Sequence, residues 1–316
     1  MRRSSSRRPP LASEARASQV GKPNAGKSTL LNALVGQKLS SVTAKPQTTR
    51  HRILGILSGP AHQVVLVDTP GVLAVKRTAL DGAMMRTVRT ALTQADVVAA
   101  VVDAAAATRF PGTGLDGMAL TGEAGGPPLV VVLTKCDLLS GADAEQLRNY
   151  FAALPGVSAA LRVSALAKTG LAELEAWVVS RLPLGPALYP KDDVTEHPER
   201  FFVAECVREA IFTQYRQEIP YCTTVAVVAH REGRNGAKDV IKVQIAVERE
   251  SQKGILVGKA GAAIKQLAIA SRAAIEEFLQ RPVYLEMVVV VAPKWRSDEA
   301  AVEKAGVADA NALFTM

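Results

Sequence analysis

The chain has 316 residues, 48% of them apolar and 4% aromatic, and a formal net charge of +8 at pH 7. That length suits two domains and is ample for a real core, and the basic balance points toward a polyanionic partner. No apolar run reaches membrane-spanning length. Cys136, Cys206 and Cys222 have neither metal-type spacing nor an even-numbered framework, which excludes a spanning helix and a disulfide scaffold as organising features and suits a reducing compartment.

The start, residues 1–19, is Ser/Arg-rich, with five arginines and one acid, Glu14, between Met1 and Arg16. It reads equally as an organelle transit-like segment, as a short basic tail, or as an inaccurate chain start. Leu11 to Val20 has no β-branched run and no alternation, so the strand expected ahead of a phosphate loop reads as weak or missing. Residues 21–28 then match G-x-x-x-x-G-K-[ST], with Gly21, Gly26, Lys27 and Ser28 at the fixed positions. Glycines let successive N–H groups face phosphate oxygens, Lys27 sets a cation on the outer phosphates, and Ser28 offers a hydroxyl to magnesium. The run from Thr29 to Val35 reads as a helix whose N-terminus faces the anion; Asn24, Ala25 and Thr29 belong to the same cradle.

Lys38 to Arg52 reads as an exposed loop. Strands are expected over Ile53–Leu57 and Gln63–Val67, the second running into Asp68-Thr-Pro-Gly71. An acid at the C-terminal end of a buried strand is placed to contact a ligand: Asp68 to hold magnesium, and Gly71 to let its N–H approach a terminal phosphate. A helix over Arg77–Gln94, strands near Val97–Val102, Leu129–Leu133 and Ala160–Val163, and helices near Ala144–Leu154 and Leu171–Leu182 follow. A Gly/Pro-rich insertion with at most a short helix covers 104–128. Strands alternating with helices imply an α/β domain with a mainly parallel sheet.

Two further motifs close strands. Thr134-Lys135-x-Asp137 and Ser164-Ala165 sit at successive strand ends. A carboxylate at Asp137 can accept from both the ring N–H and the exocyclic amine of guanine, a pair that adenine lacks. Leaving a buried acceptor unmet costs about 1–3 kcal/mol. Lys135 would lay its stem along the base, and the N–H of Ala165 would meet the guanine carbonyl. Each motif alone is weak; their order at strand ends selects a guanine nucleotide.

Pro183 to Arg200 reads as a Pro-rich, charged linker. Beyond it come an amphipathic helix over Glu199–Gln217, strands over Thr223–His230 and Val240–Glu248, a short helix to Val257, Gly258-Lys259-Ala260-Gly261, a long helix to Gln280 and a strand over Val283–Val291. That order resembles a type-II KH domain, an α+β fold whose Gly-x-x-Gly turn clamps single-stranded RNA. Lys253, Lys259, Lys265 and Arg272 are the only charged residues between Glu250 and Glu276, a local +4 beside the turn. Ile264 and Leu267 suit the core, with a secondary role in the groove wall.

Residues 20–182 resemble the translation-factor-related GTPases. Lys45-Pro-Gln-Thr-Thr-Arg-His-Arg52 with Asp68-Thr-Pro-Gly71 resembles the Era family, whose architecture is a P-loop GTPase domain (20–182), a linker (183–198), a type-II KH domain (199–296) and a tail (297–316). The resemblance implies GTP and GDP as ligands, Mg2+ held by Ser28, Asp68 and Thr48 or Thr49, the latter favoured, and slow hydrolysis involving Lys27, Thr49, Asp68 and Gly71. Val72 stands where Ras-like enzymes place a glutamine, and some relatives use K+ held partly by an Asn, here Asn24. Thr134 stands where the family more often has Asn, and is expected to brace the loop less well. The implied partners are the 3′ region of small-subunit ribosomal RNA and the assembling small subunit, with Lys294, Trp295 and Arg296 as further RNA contacts. A monomer, a peripheral membrane association, and a chloroplast or mitochondrial location rather than a bacterial cytoplasm also follow from the resemblance and the Arg/Ser-rich start. Competing expectations are a tRNA-modification GTPase, an ATP-driven P-loop enzyme, and an RNA-binding module whose nucleotide site is impaired by the absent first strand.

Overall fold

The structure, a computed structural model, describes residues 12–73, 75–109, 126–185, 187–234 and 236–307. They fall into two compact units. The first holds the described residues up to Gln37, then Leu54–Asp68 and Ala91–Glu196; the second holds Lys38–Ile53, Thr69–Thr90 and the residues from His197 onward.

Taken in chain order, the first unit is built on β1 (Ala12–Val20), α1 (Lys27–Val35), β2 (Ile53–Ser58) and β3 (His62–Asp68). After α2 (Ala79–Thr93), most of which belongs to the second unit, come β4 (Val97–Asp103), α3 (Ala104–Arg109), β5 (Leu129–Thr134), α4 (Gly141–Ala152), β6 (Val157–Arg162), α5 (Leu171–Val179) and β7 (Leu184–Gly185). The sheet runs β2-β3-β1-β4-β5-β6, with β7 antiparallel against the start of β1. The pairings of β1 with β3 and β4, of β4 with β5 and of β5 with β6 are parallel. Val97–Val102 and Leu129–Leu133 are buried throughout, as continuous apolar runs in a two-sided parallel sheet must be. Of the insertion, α3 is described; residues 110–125 lie outside the described residues.

The first strand corrects the sequence expectation. It is present, and it is central. Ser13–Gln19 register against His62–Asp68, and Ala17–Val20 against Val97–Ala100. A strand paired on both edges takes its stability from two ladders and from fit to its neighbours, so weak intrinsic propensity does not decide it. Small side chains suit the position. Ala17, Ser18 and Val20 are each 1% exposed, and the Ser18 hydroxyl donates to the Ala91 carbonyl at 2.8 Å. With the strand in place, the supposed cause of an impaired site is gone.

The expected linker is also more ordered than its composition suggests. Gln63 exchanges two 3.0 Å side-chain hydrogen bonds with the Tyr189 backbone, Ile56 N–H donates to Val194 O at 2.8 Å, and Thr195 Oγ1 donates to Leu54 O at 2.7 Å. Residues 187–195 thus cover the β2 edge, satisfying backbone groups that a bare edge strand would leave open.

The second unit continues with α6 (Glu199–Gln214), α7 (Ile219–Cys222), β8 (Thr224–Arg231), β9 (Asp239–Val247), α8 (Glu250–Val257), α9 (Ala262–Leu279), β10 (Val283–Val291) and α10 (Glu299–Lys304). Its sheet is β10-β9-β8, β10 parallel and β8 antiparallel to β9. The alternation read in β9 is realised: Ile241, Val243, Ile245 and Val247 are fully buried against Val203, Val207 and Ile211 of α6 and against Leu256, Leu267 and Ile275. Ile264 is half-buried on that core. Residues 308–316 lie outside the described residues.

Candidate nucleotide site and nucleic-acid interface

The phosphate loop joins β1 to α1. Gly26 has φ 93°, a conformation that glycine takes at no steric cost, and a Cβ there would stand 3.3 Å from Thr134 Oγ1. Lys27 opens α1 and is 6% exposed; its ammonium donates to the carbonyls of Gly21 and Lys22, both at 3.0 Å. Burial lowers its pKa from 10.5 to about 8, against the opposing pull of Asp68. Ser28 Oγ donates to Asp68 Oδ2 at 2.7 Å, and Asp68 is fully buried at the end of β3. A hydroxyl and a carboxylate make an oxygen-only donor pair of the kind that suits Mg2+. Asn24 is exposed with φ 62°, Ala25 is buried and Thr29 is half-buried on α1.

The base end forms where β5 and β6 finish. Thr134 Oγ1 lies 2.6 Å from Ala25 O and 3.1 Å from Val102 O. The short hydroxyl thus reaches the phosphate loop, which approaches closely over Gly26. Asp137 is exposed in a 3-10 turn, Cys136–Leu138, and its Oδ1 accepts from Ser164 Oγ at 2.5 Å. That same Oγ accepts from Ala167 N–H, and Ser164 and Thr169 exchange backbone hydrogen bonds, closing the loop that carries Ala165. Lys135 is left-handed, with φ 57°, and its ammonium meets Asp103 Oδ2 at 2.6 Å. Asp103 was not singled out from the sequence. The first unit therefore gathers Gly21, Lys27, Ser28 and Asp68 at one set of strand ends and Thr134, Lys135, Asp137, Ser164 and Ala165 at the next ones.

Thr48, Thr49 and Gly71 belong to the second unit. The expectation of an exposed loop over Lys38–Arg52 fails, because Ser40, Ser41, Thr48, Thr49 and Arg50 are buried. The Lys45 ammonium donates to the carbonyls of Phe212 and Tyr215 at the C-terminal end of α6. Arg50 donates to Thr223 O at 2.6 Å, Pro220 O at 2.8 Å and Tyr221 O at 3.2 Å, at the end of α7. Helix C-termini leave carbonyls without intrahelical partners and carry partial negative charge, so cations settle there. Arg208 donates to Thr48 O and pairs with Glu205. The Thr48 hydroxyl lies 2.9 Å from Lys45 O and 2.7 Å from Thr43 Oγ1. Burial alone would raise the Glu205 carboxyl, but Arg208, His51 and Arg50 more than offset it and its pKa falls. Burial, with Arg208 nearby, drops Arg50 to about 9, and burial drops His51 to about 4. A Lys and an Arg aimed at helix ends carry no periodic signal, so these partners were not legible in the tract Lys45–Arg52 itself.

On the KH-like core, Gly258 and Gly261 have φ 73° and 76°, and Ala260 between them is left-handed at 51°. A Cβ on Gly258 would stand 2.6 Å from the Ala263 Cβ, so this turn admits only glycine there. Lys259, Lys265 and Arg272 are exposed and Lys253 is half-buried. Lys294 is exposed; the two residues after it depart from expectation. Trp295 is 3% exposed with its indole N–H on Cys222 O at 2.8 Å, and Arg296 is ion-paired with Glu248 at 2.5 Å. Burial makes the indole a packing anchor, and Glu248 offsets the charge of the partly exposed Arg296.

A phosphate loop, a buried carboxylate and a guanine-type base pocket on a mainly parallel sheet, followed by a Gly-x-x-Gly α+β core, define a guanine-nucleotide-binding protein with an appended KH domain. Residues 16–135 match the family model described as a 50S ribosome-binding GTPase, and residues 218–296 the one described as a KH domain. The chain is 49% identical to "GTPase ERA1, chloroplastic" of Zea mays over 290 residues, covering 91% of this chain and 68% of that one. It is 38% identical to "GTPase Era" of Geobacter metallireducens, over 91% of this chain and 95% of that protein. Among solved structures, Era in complex with MgGDPNP and nucleotides 1506–1542 of 16S ribosomal RNA matches with a TM-score of 0.84 at 32% identity, covering 94% of this chain and 99% of that one. The chain belongs to the Era family of GTPases.

Proposed function

We propose that this GTPase uses its nucleotide state to control binding to the 3′ region of small-subunit ribosomal RNA during small-subunit assembly in the chloroplast. One observation carries the reading: near full-length similarity to an Era structure solved with both MgGDPNP and a 16S ribosomal RNA segment. The chloroplast assignment follows the name of the maize relative, which favours it over a mitochondrial or bacterial one.

The residues suit the chemistry. Lys27 neutralises charge on the outer phosphates, and Gly26 lets the loop backbone close on them. Mg2+ would be held by Ser28 and Asp68, and would supply charge neutralisation at the phosphates. With Val72 after the Asp-Thr-Pro-Gly motif, no side-chain amide at that position orients water, so hydrolysis is slow without an activator. Asn24, exposed in the loop, is where a K+ ion would be held. Lys259, Lys265 and Arg272 line a track for RNA phosphates beside the Gly-x-x-Gly turn. On this reading the protein acts as a monomer and associates peripherally with membranes. Among the described residues no helix is long and apolar enough to cross one.

The test is a pair of titrations on the full chain. GTP should bind with magnesium dependence, and a 3′-end small-subunit ribosomal RNA oligonucleotide should bind more tightly in the GTP-loaded form than in the GDP-loaded form. RNA binding without any magnesium-dependent GTP binding overturns the switch. A comparison of hydrolysis in K+ and Na+ decides the role given to Asn24.

A further inference from the structure

Asp103 ends β4 directly opposite Thr134 in the parallel register with β5, so it stands one strand over from the residue that begins the guanine-recognition turn. Its two oxygens have separate tasks. Oδ1 accepts from Ala106 N–H at 3.1 Å, in the first turn of α3, which fixes the carboxylate. Oδ2 accepts from the Lys135 ammonium at 2.6 Å. The pair is only partly exposed, 22% for the Asp103 side chain and 38% for that of Lys135.

We propose that Asp103 is a positioning residue for the nucleotide base: its Oδ2 pins the Lys135 ammonium, so that the four-carbon stem of Lys135 stays extended as a preformed wall of the base slot. The physical argument is entropic. A free lysine side chain gives up much of its rotamer freedom when held in one geometry. An ion pair already made in the folded protein removes most of that loss from the binding step, which is the general advantage of preorganisation. The left-handed backbone of Lys135 aims the stem, and Asp103 holds its far end. Asp137 reads the edge of the base; Asp103, acting through Lys135, supports the face and so favours no particular base edge.

This inference rests on the guanine-nucleotide reading of the site, and the experiment separates the two. Equilibrium binding of fluorescent GDP and GTP, with steady-state hydrolysis, is measured for the wild type, Asp103→Asn, Asp103→Glu, Lys135→Ala and the double variant Asp103→Asn/Lys135→Ala. Asn keeps an oxygen for the α3 cap but loses the charge. The expected result is about a fivefold weaker affinity for Asp103→Asn, the order of one partly buried ion pair, with the loss in KM rather than kcat. GTP and ITP, which share the face contact but differ at the exocyclic amine, should lose the same factor. Asp103→Glu should recover affinity, and the double variant should bind no worse than Lys135→Ala alone. Wild-type affinity in Asp103→Asn, or independent and additive losses in the double variant, overturns the proposal while leaving the nucleotide site standing. A wild-type chain that binds no guanine nucleotide removes the reading itself. Should Asp103→Asn fail to fold, the Asp103→Glu recovery and a Lys135→Met variant, which keeps the stem and drops the charge, give the same decision: Met must bind as weakly as Asp103→Asn is expected to, and wild-type binding by Met overturns the proposal.

Discussion

Burial of Lys27 leaves its ammonium with a pKa of about 8, and the phosphates of a nucleotide bind the protonated form. Above that pH the free protein has lost a proton that it must regain on binding. Nucleotide affinity should therefore fall by up to about tenfold per pH unit between pH 8 and pH 10, with proton uptake measurable by calorimetry in buffers of different ionisation enthalpy. Lys27→Arg, which stays charged, should flatten that slope; an unchanged slope would place the titration elsewhere. Thr134 gives a second test at this scale. Removing its hydroxyl leaves the Ala25 carbonyl without its 2.6 Å donor, and Thr134→Ala should weaken GTP binding by about tenfold, roughly one buried hydrogen bond, without changing RNA affinity.

At the scale of elements, residues 38–53 and the helices they touch form one electrostatic unit. Glu205 is 5% exposed and Arg208 3%, so deleting Arg208 leaves a buried carboxylate without its guanidinium partner. Arg208→Ala should lose about 3–5 kcal/mol of unfolding free energy, whereas Glu205→Leu/Arg208→Leu together should lose less, because the two charges of the pair leave together and the buried Arg50 keeps its three carbonyl acceptors. Chemical denaturation of the three chains measures it, and equal losses would contradict the account. The same cluster predicts acid lability. The unfolded chain protonates His51 near pH 6.5, while the folded chain, with a pKa of about 4, holds it neutral between Phe201 and the Gly306 carbonyl. The unfolded state thus binds more protons between these values. Stability is lost as pH falls from about 6.5 to about 4, by up to about 3 kcal/mol, and His51→Gln should remove that dependence.

At the scale of the whole molecule, the two chemistries reside in different units. The exposed Lys259 lies in a Gly-x-x-Gly turn of the second unit, while Lys27 and Asp137 belong to the first. Lys259→Asp should weaken RNA binding at least about tenfold and make it less salt-dependent, as loss of a phosphate contact does, with intrinsic GTP hydrolysis nearly intact. Loss of both activities in a folded variant would contradict two separable modules.

The sequence by itself determined what this protein binds. Phosphate loops and guanine-recognition turns are local: Gly21–Ser28 and Thr134–Asp137 carry their chemistry in residue types at fixed short spacings, and the period-2 pattern of β9 declares its own buried face. The Gly-x-x-Gly turn between helices is equally local, which is why the RNA-binding fold was legible as well. Only the tertiary structure decided the rest, and the reason in each case is a partner far away in the chain. Ala12–Val20 is a strand because β3 and β4 offer it two ladders, not because its residues prefer one. Arg50 is buried, and Lys45 half-buried, because helix ends some 170 residues later present carbonyls to them. Trp295 faces inward because Cys222 O accepts its N–H, and Asp103 meets Lys135 because β4 and β5 end side by side. Local spacing can specify a ligand; the placement of a charge, and whether a weak strand forms, depend on contacts that exist only once the chain has folded.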